Sequence, residues 1–390
     1  MARGYYSSVH LYVHVPFCQR RCSYCDFSIA VRKQVPAREF VDVILAEARG
    51  HALADLDTIY FGGGTPSLLP PEAIAGLLDR FLPRTTRDAR RTIEVTLEAN
   101  PEDVTPDNAK AWREAGINRV SLGAQSFDDA VLKWMHRSHD AARIGAAVHA
   151  LRGAGIDNIS LDLIFGLPEE LNRNWERDLD ILCSLLPSHC SLYGLTIEPR
   201  TPLDRWISRG ATTTPDDDRY AEEYLAAHRR LQAEGVEFYE VSNAARDGLR
   251  SRHNSAYWSG KPYVGLGPAA HSFDGRTRRW NLRAWEAYRR AIAEGRSVVE
   301  SEEALTDDQR ELERIYLGLR TVEGVPWPPP YHAAASSRRR LTSPPPLSPP
   351  PHLAAQGWVV VRDGHIRCTP QGWLRLDSLV NELTMQTETR

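Results

Sequence analysis

The sequence predicts an α/β fold of parallel strands joined by crossover helices, followed by a smaller C-terminal unit. Three observations lead there. Across residues 1–245, short runs of β-forming residues alternate with stretches of helical periodicity, as in chains of strand–helix units. Polar clusters follow the strand runs, where parallel sheets place their ligands. Beyond residue 306 the order changes to helix, hairpin, helix. Candidate strands lie at 10–15, 58–61, 92–97, 119–123, 159–165, 191–197 and 236–241, with helices expected at 39–49, 107–115, 128–135, 141–154 and 220–234. So many units favour a barrel or a doubly wound sheet.

In the C-terminal part, Thr306-Asp307-Asp308-Gln309 has the form of a capping box, and Leu312, Ile315, Tyr316 and Leu319 follow at helical spacing. Ten prolines then fall between Pro326 and Pro351, a composition that reads as an extended linker. After it, 358–361 and 366–368 flank Asp363-Gly364, a hairpin signature. Thr369-Pro370 opens a last helix, with a capping residue followed by a first-turn proline.

The 390 residues are 42% hydrophobic and 25% charged, with a net charge of −3. That suits one large and one smaller domain and gives no overall basic field to recruit nucleic acid. No apolar run approaches the roughly 20 residues of a membrane span, and residues 1–9 lack the apolar core of a signal peptide, so a cytoplasmic protein is expected.

The most informative stretch is His14-Val15-Pro16-Phe17-Cys18-Gln19-Arg20-Arg21-Cys22-Ser23-Tyr24-Cys25-Asp26-Phe27. Its C-x3-C-x2-C spacing puts three thiolates on one short loop. Thiolates are the usual ligands of iron–sulfur clusters, and three of them leave one corner of an iron–sulfur cube open. A structural zinc site closes with four ligands, commonly as paired C-x2-C units; Cys183, Cys190 and Cys368 are scattered and supply no second pair. Cysteine patterns of this kind in a reducing compartment are metal-binding or catalytic, not disulfides.

The loop resembles that of the radical S-adenosylmethionine (SAM) superfamily. The resemblance implies a [4Fe-4S] cluster on Cys18, Cys22 and Cys25, chelation of the fourth iron by the amino and carboxylate groups of SAM, and reductive cleavage of SAM to a 5′-deoxyadenosyl radical. Tyr12-Val13-His14-Val15-Pro16-Phe17-Cys18 and Tyr24-Cys25-Asp26-Phe27 are similar to the group of oxygen-independent coproporphyrinogen III oxidases and the related HemW heme chaperones. The oxidases carry a further cysteine two places after the third, where this chain has Phe27, a departure toward the chaperones. The resemblance covers roughly residues 10–325. It implies a partial (β/α)6 barrel, open on one side, over 1–245 and a heme-motif and helical segment over 246–325; composition and the helix–hairpin–helix order add the proline-rich linker 326–351 and a small winged-helix-like α+β domain over 352–390. The proline tract departs from the ordinary helical sequence of relatives.

Other positions match in order. Phe61-Gly62-Gly63-Gly64-Thr65-Pro66 follows a strand, where glycines permit close backbone approach; it is similar to the family's GGGTP segment, which contacts the SAM amino group. Tyr12, Glu98 in Glu98-Ala99-Asn100-Pro101, Gln125 in Gly123-Ala124-Gln125-Ser126-Phe127, Arg137 and Asp162 occupy family positions around SAM. Arg137 suits bidentate pairing with the SAM carboxylate, and Asp162 suits the ribose hydroxyls. Arg252-His253-Asn254-Ser255-Ala256-Tyr257-Trp258 matches the HNxxYW motif of the HemW-like proteins and implies heme binding through His253, Asn254, Tyr257 and Trp258; histidine is a usual heme ligand and aromatics stack on porphyrins. His271 reads as a capped core histidine in preference to a second ligand.

The resemblance thus implies a heme chaperone with heme, [4Fe-4S] and SAM, passing heme to apo-proteins such as respiratory hemoproteins, with an electron donor such as flavodoxin or ferredoxin and peripheral membrane association through its recipients. Its alternative is a coproporphyrinogen III oxidase. The near absence of sequence before the cluster loop, the complete HNxxYW motif and Phe27 favour the chaperone. No catalytic residue is assigned.

Overall fold

A computed structural model describes residues 9–53, 55–82, 93–327 and 351–385. The linker predicted over 326–351 therefore lies, between its ends, outside the described residues.

Six strands form the expected series: β1 (Val9–Val15), β2 (Leu56–Gly63), β3 (Glu94–Ala99), β4 (Arg119–Gln125), β5 (Asn158–Phe165) and β6 (His189–Gly194). They pair in parallel in chain order. Helices α1 (Ala37–Ala48), α2 (Pro71–Phe81), α3 (Pro106–Ala115), α4 (Asp129–Trp134), α5 (Ala141–Gly153), α6 (Trp175–Ser184), α7 (Pro202–Ser208) and α8 (Asp217–Ala233) fill the connections and follow β6. Their ends are chemically marked. Thr105 accepts the amide of Asn108 at the start of α3, Pro106 follows, and Gly116 (φ 115°) ends the helix in the left-handed region, which glycine adopts without steric cost.

The alternation of side chains decides where the site lies. Leu11, Val13, Ile59, Phe61, Val95, Leu97, Val120 and Leu122 are fully buried in the main hydrophobic core. The intervening residues are polar: His10, Tyr12 and His14 on β1; Thr58 and Tyr60 on β2; Glu94, Thr96 and Glu98 on β3; Arg119 and Ser121 on β4. Contacts between neighbouring strands, such as His10–Thr58, Tyr60–Glu98 and Ser121–Asp162, join these side chains on one common face. A parallel sheet buried on both faces ordinarily reads as a continuous apolar run; here one face is polar because it surrounds the site.

The seventh strand differs from expectation. The stretch predicted over 236–241 forms only the short β7 (Glu237–Phe238), which turns back antiparallel on β8 (Asn243–Ala245), itself antiparallel to β6. Glu240, fully buried in this turn, accepts from the Ser242 amide and contacts Asn243. The seventh parallel strand is instead β9 (Tyr263–Leu266), which pairs with the far side of β1. It escaped the pattern because it is four residues long and holds Gly265, where a Cβ would stand 2.1 Å from the His271 carbonyl oxygen. Antiparallel β10 (His271–Phe273), β11 (Thr277–Asn281) and β12 (Val299–Ala304) extend this edge. The parallel run is thus open, carrying an antiparallel ribbon on each side.

Helix α9 (Arg252–Trp258) packs on β2, and α10 (Trp285–Ala293) packs on α1. The capping box opens α11 (Asp307–Leu319). The predicted hairpin is β14 (Val359–Arg362) and β15 (His365–Cys368), with Asp363 and Gly364 at φ 52° and 69°, as a type I′ turn requires. Strand β13 (Val325–Pro326) joins β15, and the end of the chain forms α12 (Pro351–Ala355), α13 (Pro370–Trp373) and α14 (Leu376–Met385). This α+β unit closes with α11 against α14 and the Trp373 indole donating to the Leu319 carbonyl.

Candidate functional site

The cysteine loop leaves the end of β1. Residues Phe17–Cys18 pair with Ala30–Val31, and the Arg32 amide donates to the Cys18 carbonyl at 2.9 Å, which closes the loop. Its middle is fastened from two sides: the Ser23 amide donates to the Met135 carbonyl at 3.2 Å, and the Leu203 amide donates to the Ser23 carbonyl at 2.8 Å. Cys18 is buried and Cys22 and Cys25 are partly buried, all as free thiols. The Thr65 hydroxyl donates to Cys18 Sγ at 3.3 Å and Arg137 Nη1 to Cys22 Sγ at 3.6 Å. Burial raises the Cys18 thiol above its ordinary range and lifts Cys25 to about 11, so binding a cation here releases protons.

Among the described residues, no three His, Cys, Asp or Glu side chains converge as a ligand set for one metal ion. A cube, which spaces its thiolates at separate corners, does not require such convergence. Three thiols, hydrogen-bond donors beside two of the sulfurs and one open corner fit a [4Fe-4S] cluster.

A cavity of about 380 Å³ runs from the three cysteines to the C-terminal ends of the strands, a size usual for a small-molecule site. Gly63, Gly64, Thr65, Glu98, Gln125, Arg137 and Asp162 all line it. Glu98 accepts from the Gly63 amide at 3.0 Å and from the Tyr60 hydroxyl at 2.8 Å. Burial lifts Glu98 to about 7 against those two bonds, helped by the charge of Asp162. Burial also raises Asp162, which accepts from Ser121 and Ser160. Arg137 Nη2 donates to Asn100 Oδ1 at 2.6 Å and to the Gly123 carbonyl at 3.0 Å, and its Nε is buried with no acceptor among the described residues. Gln125 has φ 68° at the end of β4. Gly64 lies so close to the loop that a Cβ would stand 2.8 Å from the Phe17 carbonyl oxygen.

Two predicted residues fall outside this cavity lining. A Cβ on Gly62 would stand 2.9 Å from the rings of both Tyr12 and Tyr60, so packing alone demands glycine there. Tyr12 stacks on Tyr60, with ring centroids 6.1 Å apart, and lines a second cavity. Asn100, Ser121 and Tyr193 line the first cavity unforeseen. Alternation from Asp162 and Glu98 across neighbouring strands was the signal that marks Ser121 and Tyr193.

The HNxxYW segment folds as α9, capped by Ser251, whose hydroxyl accepts the Asn254 amide. His253 is 1% exposed. Its Nδ1 lies 2.6 Å from Thr58 Oγ1 and its Nε2 lies 2.8 Å from the Tyr257 hydroxyl. Its amide donates to Glu94 Oε1 at 3.0 Å, and its ring stacks on Tyr60. Burial, with His10 and Arg119 nearby, lowers it to about 3. Both ring nitrogens are therefore occupied inside the protein. Tyr257 and Trp258 instead line the second cavity, of about 890 Å³. His271 also differs from expectation. It is exposed on that cavity and not in the core, because it begins the ribbon strand β10. His14 stands between the two cavities: it lines the second, and its ring would be 2.6 Å from a Cβ on Gly63, which lines the first.

A family model, the radical SAM superfamily, matches residues 12–182. The heme chaperone HemW of Mycobacterium tuberculosis is 39% identical over 324 residues, covering 81% of this chain and 82% of that protein. HemW of Bacillus subtilis is 35% identical over 319 residues, covering 80% and 84%. The chain belongs to the HemW family of radical SAM proteins. Among solved structures, the coproporphyrinogen III oxidase HemN of Escherichia coli aligns with a TM-score of 0.76 at 22% identity, over 98% of this chain and 90% of that one. That likeness bears on the fold, including the open barrel and the C-terminal unit. Among the described residues no helix is long and apolar enough to cross a membrane.

Proposed function

We propose that this chain is a heme chaperone that carries a [4Fe-4S] cluster and SAM beside a heme site and passes heme to apo-hemoproteins. One observation carries the reading: the HNxxYW helix lines, with Tyr257 and Trp258, a large aromatic cavity whose residue His14 lies against Gly63 of the cysteine cavity. In this reading Cys18, Cys22 and Cys25 ligate the cluster, which when bound supplies an electron to SAM. Arg137 pairs with the SAM carboxylate, Glu98 and the Gly63–Thr65 turn receive its amine, and Asp162 and Gln125 hold its ribose. The basis is complementarity: a buried guanidinium with a free donor suits a carboxylate, and buried carboxylates suit an ammonium and hydroxyls. His253 and Asn254 act as positioning residues that fix α9, and Tyr257 and Trp258 face the porphyrin. An external electron donor such as flavodoxin or ferredoxin, and membrane contact through recipient hemoproteins, belong to the same reading.

The test is an anaerobic hemin titration of the cluster-reconstituted chain, followed by mixing the loaded protein with an apo-hemoprotein. Saturable binding and transfer support the chaperone. Absence of both, with decarboxylation of coproporphyrinogen III, replaces it with the oxidase.

A further inference from the structure

We infer that porphyrin sits in the second cavity, between the β9–β11 ribbon and α11, and that His271 is the side chain that ligates its iron. This deepens the chaperone reading and rests on it. At about 890 Å³ the cavity lies at the upper end of small-ligand sites. One side is aromatic: Tyr257 and Trp258 from α9, Tyr263 from β9 and Phe273 from β10. Such faces suit a planar macrocycle. The other side is α11, which brings Arg310 and Arg314 with Asp307, Glu311 and Glu313, while Lys261 and Arg278 add two further cations. Among the described residues, Arg310 pairs with Asp307 and Arg314 with Glu311, each one turn away on the same helix. The Arg310–Asp307 pair is solvent-exposed and weak, so Arg310 exchanges readily for a ligand carboxylate, whereas Arg314 holds Glu311 through two bonds.

His271 is the histidine on this cavity with free nitrogens. Among the described residues, none forms a hydrogen bond with its ring, which stacks on Trp280 with centroids 5.8 Å apart and planes 24° apart. The stack fixes the ring's orientation and leaves both nitrogens open. Partial desolvation by the cavity walls, with Arg278 and Arg283 nearby, lowers its pKa, which favours the neutral imidazole that metals require. The other histidine on the cavity, His14, has its nitrogens engaged by the Tyr12 hydroxyl at 3.1 Å and the Ser28 carbonyl at 3.2 Å. His253 is engaged by Thr58 and Tyr257. The indole N–H of Trp258 is buried beside the same space with no acceptor among the described residues.

The test compares wild type, His271→Ala, His271→Tyr and His253→Ala, full length and cluster-reconstituted, titrated with hemin and, separately, with metal-free protoporphyrin IX. We expect His271→Ala to weaken hemin on the order of tenfold or more and to shift the Soret band, with added imidazole restoring it. His271→Tyr should show the spectrum of phenolate ligation, and the metal-free porphyrin should bind wild type and His271→Ala alike. Unchanged spectra in both His271 variants, or a spectrum that moves in His253→Ala alone, overturn the assignment. Equal loss of both porphyrins in His271→Ala makes His271 a packing residue and also overturns ligation. Wild type that binds no hemin overturns the chaperone reading itself, a result distinct from either.

Discussion

The cysteine cavity and the HNxxYW cavity are neighbours parted by His14, yet they are built differently. In the first, ligands come from one loop and the ends of adjacent parallel strands, so sequence order and spatial order agree. Cys18, Cys22 and Cys25 share a loop, Gly64, Glu98 and Gln125 stand at successive strand ends, and Asp162 lies within the next strand. In the second, the walls come from β1, α9, the β9–β11 ribbon and α11, elements that meet only through long-range packing. The lesson is that a motif's residues share a place without sharing a role. His253, the most ligand-like residue of HNxxYW, spends both nitrogens on Thr58 and Tyr257, while the aromatic pair of the same motif faces the cavity.

The comparison breaks most sharply at the cysteines. Cys22→Ala should abolish the visible absorbance of a reconstituted [4Fe-4S] cluster while hemin still titrates, since the second cavity has its own walls; simultaneous loss of both would mean that the two regions are one site. Acid should strike next. Burial lowers His14 to about 4, and His228 and His253 to about 3 each. These groups resist protonation only when folded. The stability they confer is complete above pH 6.5 and is lost as pH falls toward 3–4, by roughly 2 kcal/mol per histidine between pH 6.5 and 5. Urea unfolding of wild type at the two pH values measures the net of this loss and of the opposite gain from Glu47 and Glu98, which burial raises to about 7. His228→Leu, remote from both cavities and stacked on Phe238, should shrink the difference by about 2 kcal/mol; an unchanged pH slope would remove His228 from the account.

Arg137→Ala should weaken SAM on the order of tenfold or more, given about 1.5–3 kcal/mol for a charged hydrogen bond, and leave hemin affinity alone; calorimetry with each ligand distinguishes the two. Unchanged SAM affinity takes Arg137 out of the site. The smallest effect is expected from deleting residues 336–350, which should leave cluster content and hemin binding within error if the proline tract is a linker.

The sequence alone determined the parallel strand series and the cluster loop, and its resemblance to the family marked the residues around the first cavity. These depend on local quantities: the period of apolar residues, the spacing of three cysteines and the chemistry of strand ends. The turn at Asp363-Gly364 and the capping box at Thr306 were readable for the same reason, since each is decided within four residues. Tertiary structure decided what depends on distant partners. It turned 237–245 into an edge hairpin, because Glu240 and Asn243 find each other there. It supplied the seventh parallel strand from 263–266, whose glycine is explained only by the backbone of His271. It placed His253 in the interior and His271 on the cavity, reversing what their motifs implied. Whether a histidine's nitrogens are free depends on which side chains fold against it, and for His253 the hydroxyl on Thr58 comes from 195 residues away.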